Sequence, residues 1–245
     1  MRVRNKGVIL VCLLCIALML FASCSDKKPK EKPKQKAAQA APDRIERVEI
    51  PLDNAQGEAS LERNFYFIFD GSGSMNERSG GQVKLMGAKQ AVRQFLTKVP
   101  VDANLGLFVF DANGIREVVP LGPDNRESFM QSIDSVRASG ATPLAQSIKF
   151  GTDRLVDQYK KQLGYGDYRL IVVTDGQASG IPGAAQYTTR YGMPIYAIGL
   201  FIEGDHPLRK YAVSYREAND YEDLKRALED TLAELPSFDL TEFEE

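Results

Sequence analysis

Residues 64–74 read NFYFIFDGSGS. Five consecutive apolar residues, Phe65 to Phe69, run without a polar break into Asp70 and then into a Gly/Ser loop. A strand with one face in water alternates apolar and polar residues. An unbroken run belongs to a strand buried on both faces, as in a parallel sheet covered by helices. Residues 168–175, YRLIVVTD, have the same form and also end in an aspartate, followed by Gly176. Residues 105–111 (LGLFVFD) and 194–201 (PIYAIGLF) read as further strands, and 115–120 (IREVVP) as a short edge strand. Helical spacing is expected over 83–98, 126–137, 144–162 and 221–235. The stretch 203–217 is weakly patterned, with a short strand near 215–218. Strands alternating with helices predict an α/β fold: a doubly wound, mostly parallel central sheet with helices on both faces. One domain accounts for it, and no internal repeat is visible.

In an open α/β sheet, ligands bind beyond the carboxyl ends of the strands, where strand order reverses. Three segments are expected to meet there: Asp70-Gly71-Ser72-Gly73-Ser74, then Ser139-Gly140-Ala141-Thr142-Pro143-Leu144 before a helix, then Asp175-Gly176. Their carboxylates and hydroxyls are hard oxygen ligands suited to Mg²⁺, Mn²⁺ or Ca²⁺. Ser72 and Ser74, two apart in an irregular loop, can both turn toward one ion, and Gly71 and Gly73 are expected to permit unusual backbone angles. The absence of His and Cys from these segments argues against zinc or copper. Each piece also has an ordinary reading. Ser72 and Ser74 are common turn residues, and Thr142 before Pro143 suits a helix N-cap with proline at the first helical position. What points to a metal is their joint occurrence, in order and at strand ends.

The pattern D-x-S-x-S, then a Gly-x-Thr loop, then a strand ending T-D-G, resembles the metal-ion-dependent adhesion site of von Willebrand factor A domains, and the resemblance covers roughly residues 63–235. It implies that the first and fourth strands lie side by side at the switch point. It further implies that Asp70, Ser72 and Ser74 come from the first loop, Thr142 from the second and Asp175 from the third, with the two aspartates acting partly through waters. The implied cofactor is a divalent cation, Mg²⁺ first and Mn²⁺ or Ca²⁺ as alternatives. The implied partner is a protein that supplies an Asp or Glu oxygen to the open metal position. A second reading stays open, in which the ion only staples the loops and partners bind without it.

Enzymatic readings fit less well. A phosphoryl-accepting Asp70 would need a second aspartate where Ser72 stands. A serine hydrolase needs a base, and the only histidine, His206, lies in the weakly patterned stretch and is expected to be exposed and idle. Neither serine fits G-x-S-x-G. The Gly-rich loop lacks the Gly-Lys-Ser/Thr ending of a P-loop, and the third glycine of a dinucleotide fingerprint is missing.

The overall charge of −2 hides an asymmetry. Arg2, Arg4, Lys6 and six lysines between Lys27 and Lys36 stand near the N-terminus, so the remainder is acidic, and nucleic acid is an unsuitable partner. The basic start, the apolar run from Val8 to Phe21 and Ala22-Ser23-Cys24 resemble a bacterial lipoprotein signal, with Cys24 lipidated. Phe21 stands where such signals usually have Leu. The three cysteines, Cys12, Cys15 and Cys24, all lie in this segment, which excludes a disulfide in the domain. The expected organisation is a signal over 1–24, a Lys/Pro/Ala-rich linker over 25–43, a lead-in over 44–62, the domain over 63–236 and an acidic tail over 237–245. The expected location is the cell envelope outside the cytoplasm, tethered by lipid. Ser25, rather than Asp, after Cys24 leans toward the outer membrane.

Overall fold

The computed structural model describes residues 46–233, apart from 54, 80, 177 and 203. The expected signal with Cys24, the linker 25–43 and the tail 237–245 therefore lie outside the described residues. Among the described residues no helix is long and apolar enough to cross a membrane.

In chain order the elements are β1 (Arg63–Asp70), a two-strand ribbon β2 (Arg78–Ser79) and β3 (Gln82–Val83), α1 (Lys84–Leu96), β4 (Asn104–Asp111), β5 (Gly114–Gly122), α2 (Arg126–Ser135), α3 (Leu144–Lys161), β6 (Asp167–Thr174), α4 (Ile181–Arg190), β7 (Ile195–Leu200), β8 (Ser214–Ala218) and α5 (Tyr221–Ala233). The main sheet has six strands in the order β5-β4-β1-β6-β7-β8. Every neighbouring pair is parallel except β4 with β5, which is antiparallel. The expected doubly wound α/β fold is thus observed.

The period-two geometry of β1 explains its unbroken apolar run. Phe65, Phe67 and Phe69 point into one core, where α1 contributes Leu85, Val92 and Phe95, α2 contributes Phe129 and Ile133, and α5 contributes Leu224 and Leu228. Tyr66 and Ile68 point into the opposite core, lined by Leu144, Ile148 and Leu155 of α3 and by Ile181, Ala184 and Ala185 of α4. Phe67 meets Phe95 and Phe129 edge-on, with ring centroids 5.5 and 5.0 Å away. Replacing such a ring with alanine typically costs about 3–5 kcal/mol.

The α4 helix is a correction to the sequence reading, which assigned none there. Pro182, Gly183, Thr188 and Thr189 are weak helix formers, but Ile181, Ala184, Ala185 and Thr188 recur at helical spacing and are all buried.

From β1 the chain moves outward to β4 and β5, then crosses to β6 and continues outward the other way through β7 and β8. Strand order therefore reverses between β1 and β6. Register places Asp70 beside Phe110 of β4 and Phe69 beside Val173 of β6. Asp70 and Asp175 consequently emerge together at the carboxyl end of the sheet. At the opposite end, Asn64 of β1 bonds Gln162 at 2.8 Å and accepts from Asn104 at 2.9 Å, tying the strand starts together.

Candidate metal centre

Three loops meet at the switch point, and backbone bonds join the first two. The Gly71 amide donates to the Phe110 carbonyl at 2.9 Å, the Ser139 amide to Gly71 at 2.9 Å and the Gly73 amide to Gly140 at 3.1 Å. The Asn76 side-chain amide adds a bond to the Ala138 carbonyl at 2.8 Å. Gly71 is required by proximity, not by backbone angle. A Cβ there would lie 2.7 Å from Val136 Cγ1, 2.8 Å from Asp111 Cβ and 3.0 Å from the Phe110 oxygen. Neither Gly71 nor Gly73 has a positive φ, contrary to expectation; the left-handed residue is Gly140, at φ 83°.

Asp70 is fully buried, at 0% exposure. Its Oδ1 accepts the Ser72 amide at 2.8 Å and its Oδ2 accepts the Thr174 hydroxyl at 2.6 Å. Ser72 Oγ lies 3.1 Å from Ser74 Oγ, and Ser74 Oγ donates to Asp175 Oδ1 at 2.7 Å. Four of the five expected residues are thus linked: Asp70 to Ser72 through the Ser72 backbone amide, and Ser72 to Ser74 to Asp175 through their side-chain oxygens. Thr142 stands nearby without joining them. Its Oγ1 lies 3.6 Å from the point a Cβ on Gly176 would occupy, so it faces the third loop. Thr142 does not cap α3: the capping position is Pro143, and no side chain bonds there.

Burial raises the pKa of Asp70; bonds from Ser72 and Thr174 offset this only in part, and the Asp175 charge adds to the rise. Two buried carboxylates this close call for positive charge. Part of it comes from Lys84, at the start of α1. Its Nζ is 3.0 Å from Asp175 Oδ2 and 2.8 Å from Glu77 Oε2, and its side chain is 9% exposed. Burial lowers the Lys84 pKa, but Glu77 and Asp175 outweigh it and the net shift is upward, so the ammonium stays charged.

His206 corrects another expectation. It is buried, at 1% exposure, and its ring stacks on Tyr215. Nδ1 accepts the Leu208 amide at 3.2 Å, which leaves the proton on Nε2, 3.3 Å from the Gly176 carbonyl. Burial lowers its pKa, partly countered by that carbonyl. The histidine therefore braces the residue after Asp175. Sequence reasoning also passed over Asp111, which ends β4 just as Asp70 ends β1. Asp111 accepts from Arg116 at 2.6 Å, from the Asn113 amide at 2.8 Å and from the Arg137 amide at 3.2 Å, so its oxygens serve the neighbouring loops.

Among the described residues no three His, Cys, Asp or Glu side chains converge as a metal cluster. A cation here would need the serine hydroxyls as well as the two carboxylates. The donor set fits that requirement: Ser72, Ser74 and Asp175 present hard side-chain oxygens at successive hydrogen-bond distances, and the Ser72 amide holds the Asp70 carboxylate beside them.

Residues 65–177 match the family model of the von Willebrand factor type A domain. An uncharacterised protein of Bacillus subtilis (strain 168), YwmD, is 26% identical over 209 residues, covering 74% of this chain and 90% of that protein. Among solved structures, the pilus adhesin SpaC from Lactobacillus rhamnosus GG superposes with a TM-score of 0.58 at 15% identity, covering 72% of this chain and 31% of SpaC. Proximal thread matrix protein 1 from the mussel byssus, with a zinc-occupied metal-ion-dependent adhesion motif, gives a TM-score of 0.57 at 17% identity, covering 71% of this chain and 48% of that one. This chain thus spans less than half of either solved protein, and at these identities the likeness is one of fold. Residues 65–177, and the doubly wound sheet they anchor, thus match the von Willebrand factor type A domain.

Proposed function

We propose that the domain is a binding module that holds a divalent cation through Asp70, Ser72, Ser74, Thr142 and Asp175 and uses it to grip a carboxylate of a partner protein. The observation that carries this reading is the run of side-chain oxygens from Ser72 through Ser74 to Asp175, with buried Asp70 held beside it by the Ser72 amide, at the switch point of the sheet. When bound, the cation supplies a positive centre able to accept one anionic oxygen from outside. The chain's own residues provide the rest. Asp70 and Asp175 supply two negative charges, while neutral hydroxyls leave the ion incompletely compensated. The Ser72 amide and the Thr174 hydroxyl fix the Asp70 carboxylate, and the His206–Gly176 bond steadies the loop carrying Asp175. Mg²⁺ is the proposed ion, with Mn²⁺ and Ca²⁺ as alternatives; the zinc in the mussel protein's motif adds Zn²⁺ to the ions worth titrating.

Two observations support partner binding over a purely structural ion and over catalysis. The first two loops are already joined by backbone bonds that need no metal. Both nitrogens of the only histidine are engaged, so no imidazole base serves the serines. We further propose that Cys24 is lipidated and tethers the module to a membrane outside the cytoplasm. The pilus adhesin among the structural neighbours agrees with a surface-facing role.

The test is a pull-down from detergent-solubilised membranes, with and without chelator, run beside a melting curve at the same chelator concentration. The proposal expects specific partners to be lost with chelator and regained with Mg²⁺ while the protein stays folded. Partners that remain bound after the metal is demonstrably gone would overturn it.

A further inference from the structure

The metal centre contains a cation of its own. The Lys84 ammonium lies 3.0 Å from Asp175 Oδ2, on the carboxylate whose other oxygen accepts the Ser74 hydroxyl at 2.7 Å. The Asp175 side chain is fully buried and that of Lys84 nearly so, whereas Glu77, the second partner of Lys84, has a side chain that is 65% exposed. The ammonium thus bridges two carboxylates, one inside the site and one at its rim. Resting on the proposed metal-binding reading, we infer that Lys84 is a built-in counter-cation that holds the metal-free site assembled and sets its divalent-ion affinity by yielding Asp175 and withdrawing toward Glu77.

The charges make this specific. Asp70 and Asp175 alone would present −2, which one divalent ion neutralises. Lys84 offsets part of that charge while it stays on Asp175, which weakens retention of a bare divalent ion until the ammonium withdraws toward Glu77. A charge held against one of the ion's own ligands opposes a divalent cation at close range. Even in a water-like dielectric this changes affinity about tenfold. Breaking one partner out of a buried ion pair is also unfavourable for the remaining charge. Without both Lys84 and metal, Asp175 would be left buried and uncompensated.

The experiment is a calorimetric titration of Mg²⁺ and Mn²⁺ into the full chain in detergent, comparing wild type with Lys84→Met, Lys84→Arg and Glu77→Gln, beside metal-free melting curves. Lys84→Met should bind divalent ions about tenfold more tightly, while its metal-free form melts lower. Lys84→Arg keeps the charge and should stay near wild type. Glu77→Gln removes the rim carboxylate toward which Lys84 would withdraw and should weaken binding. Its residue lies at the surface, so it decides the matter if Lys84→Met fails to fold. Affinity unchanged or weaker in Lys84→Met, or unchanged in Glu77→Gln, overturns the inference. If neither wild type nor any variant binds a divalent ion, the metal-centre reading itself fails. If all bind with equal affinity, only the role of Lys84 does.

Discussion

Gly71→Ala places a methyl group where the first loop, the end of β4 and the second loop leave no room. The new carbon would stand 2.7 Å from Val136 Cγ1, 2.8 Å from Asp111 Cβ and 3.0 Å from the Phe110 oxygen. Two of those neighbours are close to the backbone and cannot swing aside, so the loop itself must lift. Lifting it stretches the Gly71 bond to Phe110 and the Ser139 bond to Gly71, both 2.9 Å. Overpacking of this kind costs about 1–3 kcal/mol, and each weakened backbone bond adds about 0.5–1.5 kcal/mol. With two such bonds the total expected is about 2–6 kcal/mol. The same movement carries Ser72 and Ser74 away from Asp175, so divalent-ion affinity should fall with it. Urea unfolding of the full chain in detergent, with the slope compared between variants, gives the stability change. A loss under about 0.5 kcal/mol with undiminished ion binding would refute the argument that close packing of the two loops positions the site.

Three further outcomes follow from single residues. Hydrogen bonds from Arg116 and from the Asn113 and Arg137 amides outweigh burial and depress the Asp111 pKa. This carboxylate therefore contributes stability above its unfolded pKa and loses it as pH falls through the lower folded value. Asp111→Asn should destabilise the protein at neutral pH, with the gap to wild type closing in strong acid; a gap independent of pH in the melting curves would contradict this. His206→Phe keeps a ring against Tyr215 but strands the Gly176 carbonyl and the Leu208 amide, at a cost of about 1–3 kcal/mol by urea unfolding and with weaker ion binding; unaltered stability would remove its bracing role. Cys24→Ser should abolish lipid attachment and signal cleavage as read by mass spectrometry, and an unmodified, intact N-terminus in the wild type would sink the lipoprotein proposal.

The sheet was legible because burial on both faces leaves its mark on every residue of a strand. The runs ending at Asp70 and Asp175 needed no tertiary information. The α4 helix was not legible because its apolar spacing is carried by small residues and threonine, interrupted by Pro182 and Gly183. At the site, the D-x-S-x-S pattern identified residues that the fold draws into one network. It said nothing of Lys84, which meets Asp175 across 91 positions, or of His206, which meets Gly176 across 30. Contacts that distant depend on how α1 and the loop after β7 pack, which local pattern does not encode. Asp111 shows the converse. Its strand-end position matches that of Asp70, and only its partners reveal that it serves loop structure instead.

The central claim is that this domain holds one divalent ion at Asp70, Ser72, Ser74, Thr142 and Asp175. The most direct measurement is a Mn²⁺ titration of the full chain near neutral pH, with free ion followed by electron paramagnetic resonance, for wild type and Asp70→Ala. The account predicts one bound Mn²⁺ per chain, displaced by excess Mg²⁺, and loss of most of that binding in Asp70→Ala. No bound Mn²⁺ at millimolar concentration in folded wild type, or equal binding by Asp70→Ala, would contradict it.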